Sequence, residues 1–344
     1  MPRVGPTDVT GHHLLGRRVS VRVLVEPRSG RPLYSDLVGV VVAADQDALV
    51  IRNTAGAEVP IRVSEVHRLR VVPASSADIL ALEEIAALGW RAPESRWLGR
   101  WLLRAAGGWT GRANSVLPLG PPGLPLDEAL AQVTAWYAGH GLPPRLALPE
   151  PVREPLGRAL TARGWVGYNP SQVLTASVST VLAAVGGPGT AVGGAGTSVG
   201  GPGTAPDVIL ATTPSQEWLA SYHYRGAELP PVAIAVLTGA DRPVFATVRD
   251  GGAVVAIARA VLDAGWAGVT AVEVPPAHRR RGLALVVMRA LAGWAQAAGA
   301  DRMWLQVADD NAAAHALYQR LGFHPHHRYR YLLGPAGAGV ALTH

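Results

Sequence analysis

No cysteine occurs anywhere in the 344 residues. That excludes a disulfide framework, a thiolate metal site and a cysteine nucleophile. Lysine is missing too, so all 31 basic residues are arginine. Set against 25 acidic residues they leave a formal charge of +6. Apart from Arg279–Arg281 the arginines are scattered, which reads as biased composition and disfavours nucleic acid as a partner. Charged residues are few, 16%, and apolar ones reach 49%. This is the balance of a globular chain rather than a disordered one. No apolar run approaches the roughly 18 residues of a membrane span, so no membrane role is expected. Residues 1–13 lack the apolar stretch of an export signal, and a cytoplasmic protein is the expectation.

What is present divides the chain into stretches. Residues 1–12, polar with Pro and Gly, read as a flexible tail. Alternating apolar runs across 13–73, broken by turn residues, predict four or five short strands closed into a small SH3-like or OB-like barrel. Such a barrel can bind peptide or nucleic acid. With Tyr34 as its one aromatic residue, a packing or assembly module is the preferred reading. Residues 77–180 predict a helix over Asp78–Leu88 capped by Asp78, then strands Arg96–Ala106 and Gly111–Leu119 around Gly107-Gly108. Helix Leu126–His140, strand Arg145–Pro149, helix Pro155–Arg163 and strand Leu174–Ser179 follow. The stretch 181–206 is a Gly/Pro-rich linker in which VGGPGTA occurs twice, at Val185–Ala191 and Val199–Ala205.

The last unit, 207–334, opens with strand Val208–Thr212 and a helix over Pro214–Tyr224. Strands Val232–Leu237, Pro243–Asp250, Ala253–Gly265 and Ala267–Val274 follow, with Asp250-Gly251-Gly252 as a hairpin turn. Helix Leu283–Ala298, strand Arg302–Ala308, helix Asn311–Leu321 and strand His327–Leu333 close it. The stretch Val272–Ala284 stands out, because a strand meets Pro275-Pro276, then Arg279, Arg280, Arg281 and Gly282, then a helix start. The first N–H groups of a helix have no internal partner and carry partial positive charge. Without a Cβ, Gly282 lets a phosphate come close, and the arginines add fork-shaped donors.

Further along, Asn311–Phe323 reads NAAAHALYQRLGF. Arg279-x-x-Gly282-x-Ala284 followed by Asn311, Ala314, Leu317-Tyr318 and Gly322-Phe323 resembles the two motifs of the GCN5-related N-acetyltransferase (GNAT) superfamily. The resemblance covers nearly all of 207–334. It implies an α/β fold, the GNAT α+β arrangement with a mixed central sheet. It implies acetyl-CoA as co-substrate, with a primary amine on a small molecule or peptide as acceptor, attacked directly and without a metal. Val272, Glu273 and Val274 then lie on the strand that splays at a bulge to pair with the pantetheine arm, and Arg279, Arg280, Arg281, Gly282, Leu283 and Ala284 wrap the pyrophosphate. Tyr318 is the acid for the departing sulfur. Asn311 contacts pantetheine or caps its helix, the two being evenly balanced. As base, Glu273 competes with a plain salt bridge.

Order and pattern in 77–180 look like a second, degenerate copy, with Leu160 at the tyrosine position and no Arg/Gly turn. Such a copy would shape the acceptor pocket or serve as scaffold. Weaker candidates for that pocket are His223, Tyr224 and Asn114, the last within Arg112–Ser115, where a turn or strand-end role weighs at least as much. His324, His326 and His327 read as a surface cluster rather than a metal site. Two other functions stay open. One is a non-catalytic acyl-CoA sensor or assembly protein. The other is a nucleic-acid or peptide binder acting through the barrel.

Overall fold

The computed structural model describes residues 14–25, 33–186, 206–223 and 228–335. The expected tail, most of the repeat-bearing linker and Tyr224 lie outside them. Strands β1 (Arg18–Val25), β2 (Leu33–Ala44), β3 (Ala48–Asn53), β4 (Glu58–Arg62) and β5 (Val66–Val71) form an antiparallel sheet in the order β4-β3-β2-β1-β5. Alternation puts Val19, Val21, Val41, Leu49, Ile51, Ile61 and Leu69 into one core, giving a small barrel-like domain. A 3-10 turn, Val63–Glu65, separates the last two strands.

Next come α1 (Ser76–Gly89), β6 (Glu94–Leu98), β7 (Trp101–Ala105), β8 (Leu117–Pro118), α2 (Leu126–Gly139) and β9 (Arg145–Glu150). Helix α3 (Glu154–Thr161), β10 (Val166–Ser177) and α4 (Val178–Ala184) complete this N-terminal half. The C-terminal half runs β11 (Asp207–Ala211), α5 (Gln216–Ser221), α6 (Pro231–Thr238), β12 (Pro243–Asp250), β13 (Ala253–Asp263) and β14 (Trp266–Glu273). Helix α7 (Leu283–Ala297), β15 (Arg302–Ala308), α8 (Ala312–Arg320) and β16 (His324–Leu333) end it.

Both halves share one sheet, ordered β11-β12-β13-β14-β15-β10-β16-β9. The last strand of each half has crossed into the other. Strand β10 pairs with β15 over Ser171–Ser177, and β16 pairs with β9 over Arg328–Leu333. The crossed strands pair with each other at the centre. The exchange satisfies edges that would otherwise expose unpaired backbone groups. Strands β6-β7-β8 form a smaller sheet, joined to β9 by the parallel bridge Val116↔Leu146.

Helix α7 buries Leu283, Val287, Met288 and Leu291 against one face of the main sheet. On the other face Trp218 of α5 donates its indole N–H to Ala246 O at 3.1 Å and Ala258 O at 3.2 Å, pinning α5 across β12 and β13.

Several expected elements differ. Val232–Leu237 is helical, as α6, not a strand. An apolar run of that length has no decisive period. Pro231 in the first turn suits a helix start, and Ala233, Val236 and Leu237 bury one helical face. Arg96–Ala106 is not one strand, because β6 turns back at Gly99-Arg100 to pair Leu98 with Trp101. Gly111–Leu119 is not one strand but a 3-10 turn, Arg112–Asn114, followed by β8, which has only two residues. The α1 cap is Ser75, in a reciprocal capping box with Asp78. Helix α4 begins at Val178, where the strand was expected to continue to Ser179.

Candidate active site

Strands β14 and β15 run parallel and pair from Trp266↔Arg302 to Val269↔Leu305. Beyond that they part. Strand β15 keeps pairing with β10 as far as Ala308, while β14 shifts register against β13 between Arg259↔Thr270 and Ile257↔Glu273. The extra residue falls at Ala271–Val272, where Ala271 takes a φ of 53°. This is a β-bulge, and it turns the backbone of Thr270–Glu273 away from the β15 ladder. The side chains of Val272 and Val274 pack toward the α7 core.

Past Pro275 a 3-10 turn (Pro276–His278) leads into the arginines. Arg280 has φ 60° and Gly282 φ 75°. Gly282 is the N-cap of α7 and provides no side-chain cap. A Cβ built on it would meet nothing within 4 Å, so the space in front of the helix is open. Leu283 is buried and Ala284 partly so. Two arginines shape the turn. Arg279 Nε donates to Val274 O at 3.0 Å, and Arg281 Nη2 to Asp250 Oδ2 at 2.5 Å. Arg280 is exposed. Uncapped N–H groups, the helix dipole and three exposed guanidinium groups concentrate positive charge and free donors at this turn, the chemistry an anion requires.

Tyr318 lies on α8 in the same core as Val272, Val274 and Leu283, and is 6% exposed. Its ring meets Phe323 edge-on at 5.7 Å. Burial pushes its pKa up to about 12, so the phenol stays protonated at any physiological pH. Asn311 is the α8 N-cap, its Oδ1 accepting from Ala314 N at 3.1 Å. The capping half of its two-way expectation is thus realised.

Glu273 ends β14 one quarter exposed and accepts the backbone N–H of His223 at 2.9 Å. The His223 ring Nδ1 lies 3.8 Å from the other carboxylate oxygen. Two candidates singled out separately in the sequence therefore stand side by side at the end of α5.

The other candidates resolve differently. Asn114 takes the turn role of its two. Its Oδ1 accepts from Ala106 N (2.8 Å) and Gly108 N (2.9 Å), and its Nδ2 donates to Trp109 O (2.7 Å) and Thr110 O (2.8 Å), which leaves nothing for a ligand. Nor do the three histidines sit on the surface. His327 is buried and its Nε2 is 2.9 Å from Glu83 Oε1, while His326 and His327 join through Nδ1 atoms 2.8 Å apart. Among the described residues no group of three or more His, Cys, Asp or Glu is placed to hold a metal.

Arg259 was not singled out in the sequence. Fully buried on β13, it donates to Leu237 O at 2.7 Å and to Thr270 Oγ1 at 3.3 Å, bracing the residue before the bulge. Burial first, then the charge of Arg112, brings its pKa down to about 9. Its guanidinium carbon lies 5.2 Å from the Trp90 ring centroid, and that of Arg112 lies 5.3 Å away. A charged residue inside the apolar run Ala253–Leu262 was the available signal.

With this geometry in place, comparison with known proteins adds the following. A family model described as "Probable histone acetyltransferase Rv0428c C-terminal" matches residues 76–332. The protein named Probable histone acetyltransferase Rv0428c, from Mycobacterium tuberculosis, is 34% identical over 330 residues, covering 92% of this chain and 95% of its own length. A solved GCN5-related N-acetyltransferase from Kribbella flavida superimposes with a TM-score of 0.55 at 20% identity, covering 77% of this chain and 98% of that one. A tandem GNAT protein from the clavulanic acid biosynthesis pathway gives 0.52 at 14% identity, over 77% and 91%. The two structures speak for the fold, with its paired GNAT units.

Proposed function

The chain belongs to the acetyltransferase family of Rv0428c, within the GNAT superfamily, and from that premise we propose acetyl transfer from acetyl-CoA to a primary amine by direct attack, carried out in 207–334. The carrying observation is the meeting of three features where β14 leaves β15: the bulge at Ala271, the uncapped Arg280–Gly282 turn opening α7, and the buried phenol of Tyr318. The missing cysteine agrees with attack that bypasses a cysteine-bound acyl group.

In this reading the N–H groups from Arg280 to Ala284 hold the pyrophosphate, and the freed backbone of Val272–Val274 pairs with the pantetheine arm. Acetyl-CoA supplies an activated thioester carbonyl. Glu273, directly or through water, takes the proton that the amine must lose, and its bond from His223 keeps the carboxylate oriented toward that side. Tyr318 donates a hydrogen bond to the sulfur as negative charge builds there. A free thiol ionises near roughly 8.5, below the buried phenol, so full proton transfer runs uphill. The stabilising hydrogen bond is therefore the larger part of its role. Residues 77–180 border the acceptor side, and the N-terminal sheet serves as an SH3-like packing or assembly module.

The test is thiol release from acetyl-CoA across a panel of primary amines, including histone-tail peptides because of the relative's name. Turnover with at least one amine, reduced roughly tenfold or more in Glu273→Gln at unchanged acetyl-CoA affinity, is the expected result. A Glu273→Gln enzyme as fast as the parent across the pH range would remove the carboxylate from the proton path.

A further inference from the structure

One cavity has no place in this chemistry. It lies between the N-terminal sheet and the main sheet and has a volume of about 290 Å³. Trp266 and Arg302, which line it, begin β14 and β15. At about 3.3 Å per residue along β14, it sits roughly 23 Å from Glu273. Its size is at the lower end of small-ligand pockets.

The lining is basic. Arg17, Arg18 and Arg302 contribute to it against one carboxylate, Asp78, with His324 and His326 alongside. Asp78 is already engaged by Ser75, accepting its hydroxyl at 2.6 Å and its N–H at 3.1 Å. Arg18 is occupied by Pro73 O at 3.0 Å and by Asp78 at 3.8 Å. Arg302 lies 4.1 Å over the Trp266 ring and 3.4 Å from Asp301. Arg17 has no carboxylate within salt-bridge distance among the described residues, and its Nε is buried without a hydrogen-bond partner. Burial lowers the Arg17 pKa. Burial first, then the Arg17 charge, holds His324 down to about 4, and burial with its histidine neighbours holds His326 down to about 3. Both rings are therefore neutral at physiological pH and add no charge of their own to the cleft. Arg17 is half-buried, with its Nε buried and unpaired and no carboxylate on it among the described residues, and an anion in the cleft would supply the missing partner.

We propose that this cleft is a second ligand site for a small anion, a carboxylate or a phosphate monoester of amino-acid to sugar-phosphate size, held by Arg17 and Arg302. It is separate from the α7 turn in place and in residues.

Calorimetry on the full chain tests this with two panels, citrate and glutamate for carboxylates, inorganic phosphate and phosphoserine for phosphates. Saturable binding of one anion per chain is expected from at least one panel, and which panel responds identifies the ligand chemistry. Replacing Arg17→Gln with Arg302→Gln should weaken that binding roughly tenfold or more, the loss of a charge-assisted contact. Ala81→Trp, which fills the cleft from the exposed side of α1, should abolish it even if the arginine variant folds poorly. Acetyl-CoA affinity should be unchanged in both variants. No binding from either panel overturns the proposal. Binding that survives both variants, or that saturating CoA displaces, also overturns it by placing the anion at the α7 turn.

Discussion

From α1 in one half of the main body and α6 in the other, the elements follow the same order of helix, three strands, helix, strand, helix and strand, and the halves differ where the candidate site lies. In the C-terminal half a helix opens behind Arg279–Arg281 and Gly282, with no acidic residue in its first turn. The matching helix of the N-terminal half, α2, opens behind Pro125 with Asp127 and Glu128 in its first turn. Two carboxylates suit the dipole of that helix and repel a phosphate. Strands β14 and β15 part after four paired positions, whereas β8 and β9 meet at one bridge closed by Val116 N–H to Arg145 O and Ala147 N–H to Val116 O, each 2.8 Å. Tyr318 is replaced by Leu160, fully buried in an apolar cluster. One half has the arginine-rich helix start and the buried phenol on which the proposed acetyl transfer rests, and the other has carboxylates and an apolar side chain at the matching places. What separates the halves is the charge at one helix start, the parting of one strand pair and a phenol in place of an apolar side chain.

Substitutions can separate these roles. Leu160→Ala removes buried packing in the N-terminal half and is expected to lower stability by about 3 kcal/mol, read as a urea midpoint. The folded fraction should bind acetyl-CoA as before. The mirror change, Tyr318→Phe, deletes only a hydroxyl. It is expected to cost about a hundredfold in kcat, ~2.7 kcal/mol, with acetyl-CoA affinity unchanged and stability altered by less than about 1 kcal/mol. If the leucine change altered the chemistry, or the tyrosine change only the stability, the division between the halves would be wrong.

The smallest expected effect is in pH dependence, where the halves differ in sign. His324, in the C-terminal half, is held by burial and Arg17 down to about 4 from its ordinary 6.5. The unfolded chain binds that proton first, so the stability present above pH 6.5 declines as pH falls toward about 4. His140, in the N-terminal half, is raised by donating to Trp136 O at 2.7 Å and by Glu94 at 3.0 Å. Its contribution is present below 6.5 and lost as pH rises past its raised value. Urea midpoints between pH 4 and pH 8 should show a shallower acid limb for His324→Gln and a flatter neutral limb for His140→Gln.

Much of the C-terminal half was legible because its signals are local. Asp250-Gly251-Gly252 forms the hairpin turn that its residues require, Gly282 precedes α7, and Asn311 caps α8. The crossing of β10 and β16 was not legible, since alternation predicts strands but not their partners. Nor was the burial of His327, whose partner Glu83 is 244 residues away. For Asn114 a pocket role and a turn role stood open in the sequence, and its four bonds to backbone groups of its own loop realise the turn role. The helix at Pro231–Thr238 was misread because a short apolar run fits a buried helix and a buried strand equally well.

The most direct measurement is calorimetric titration of the full chain with acetyl-CoA, beside an Arg281→Glu/Gly282→Glu variant and an Asp127→Arg/Glu128→Arg variant. One site per chain is expected, weakened roughly a hundredfold or more in the first variant and untouched in the second. Absence of binding to the parent, or binding indifferent to the α7 turn, would mean that this turn is not where the acetyl donor is held.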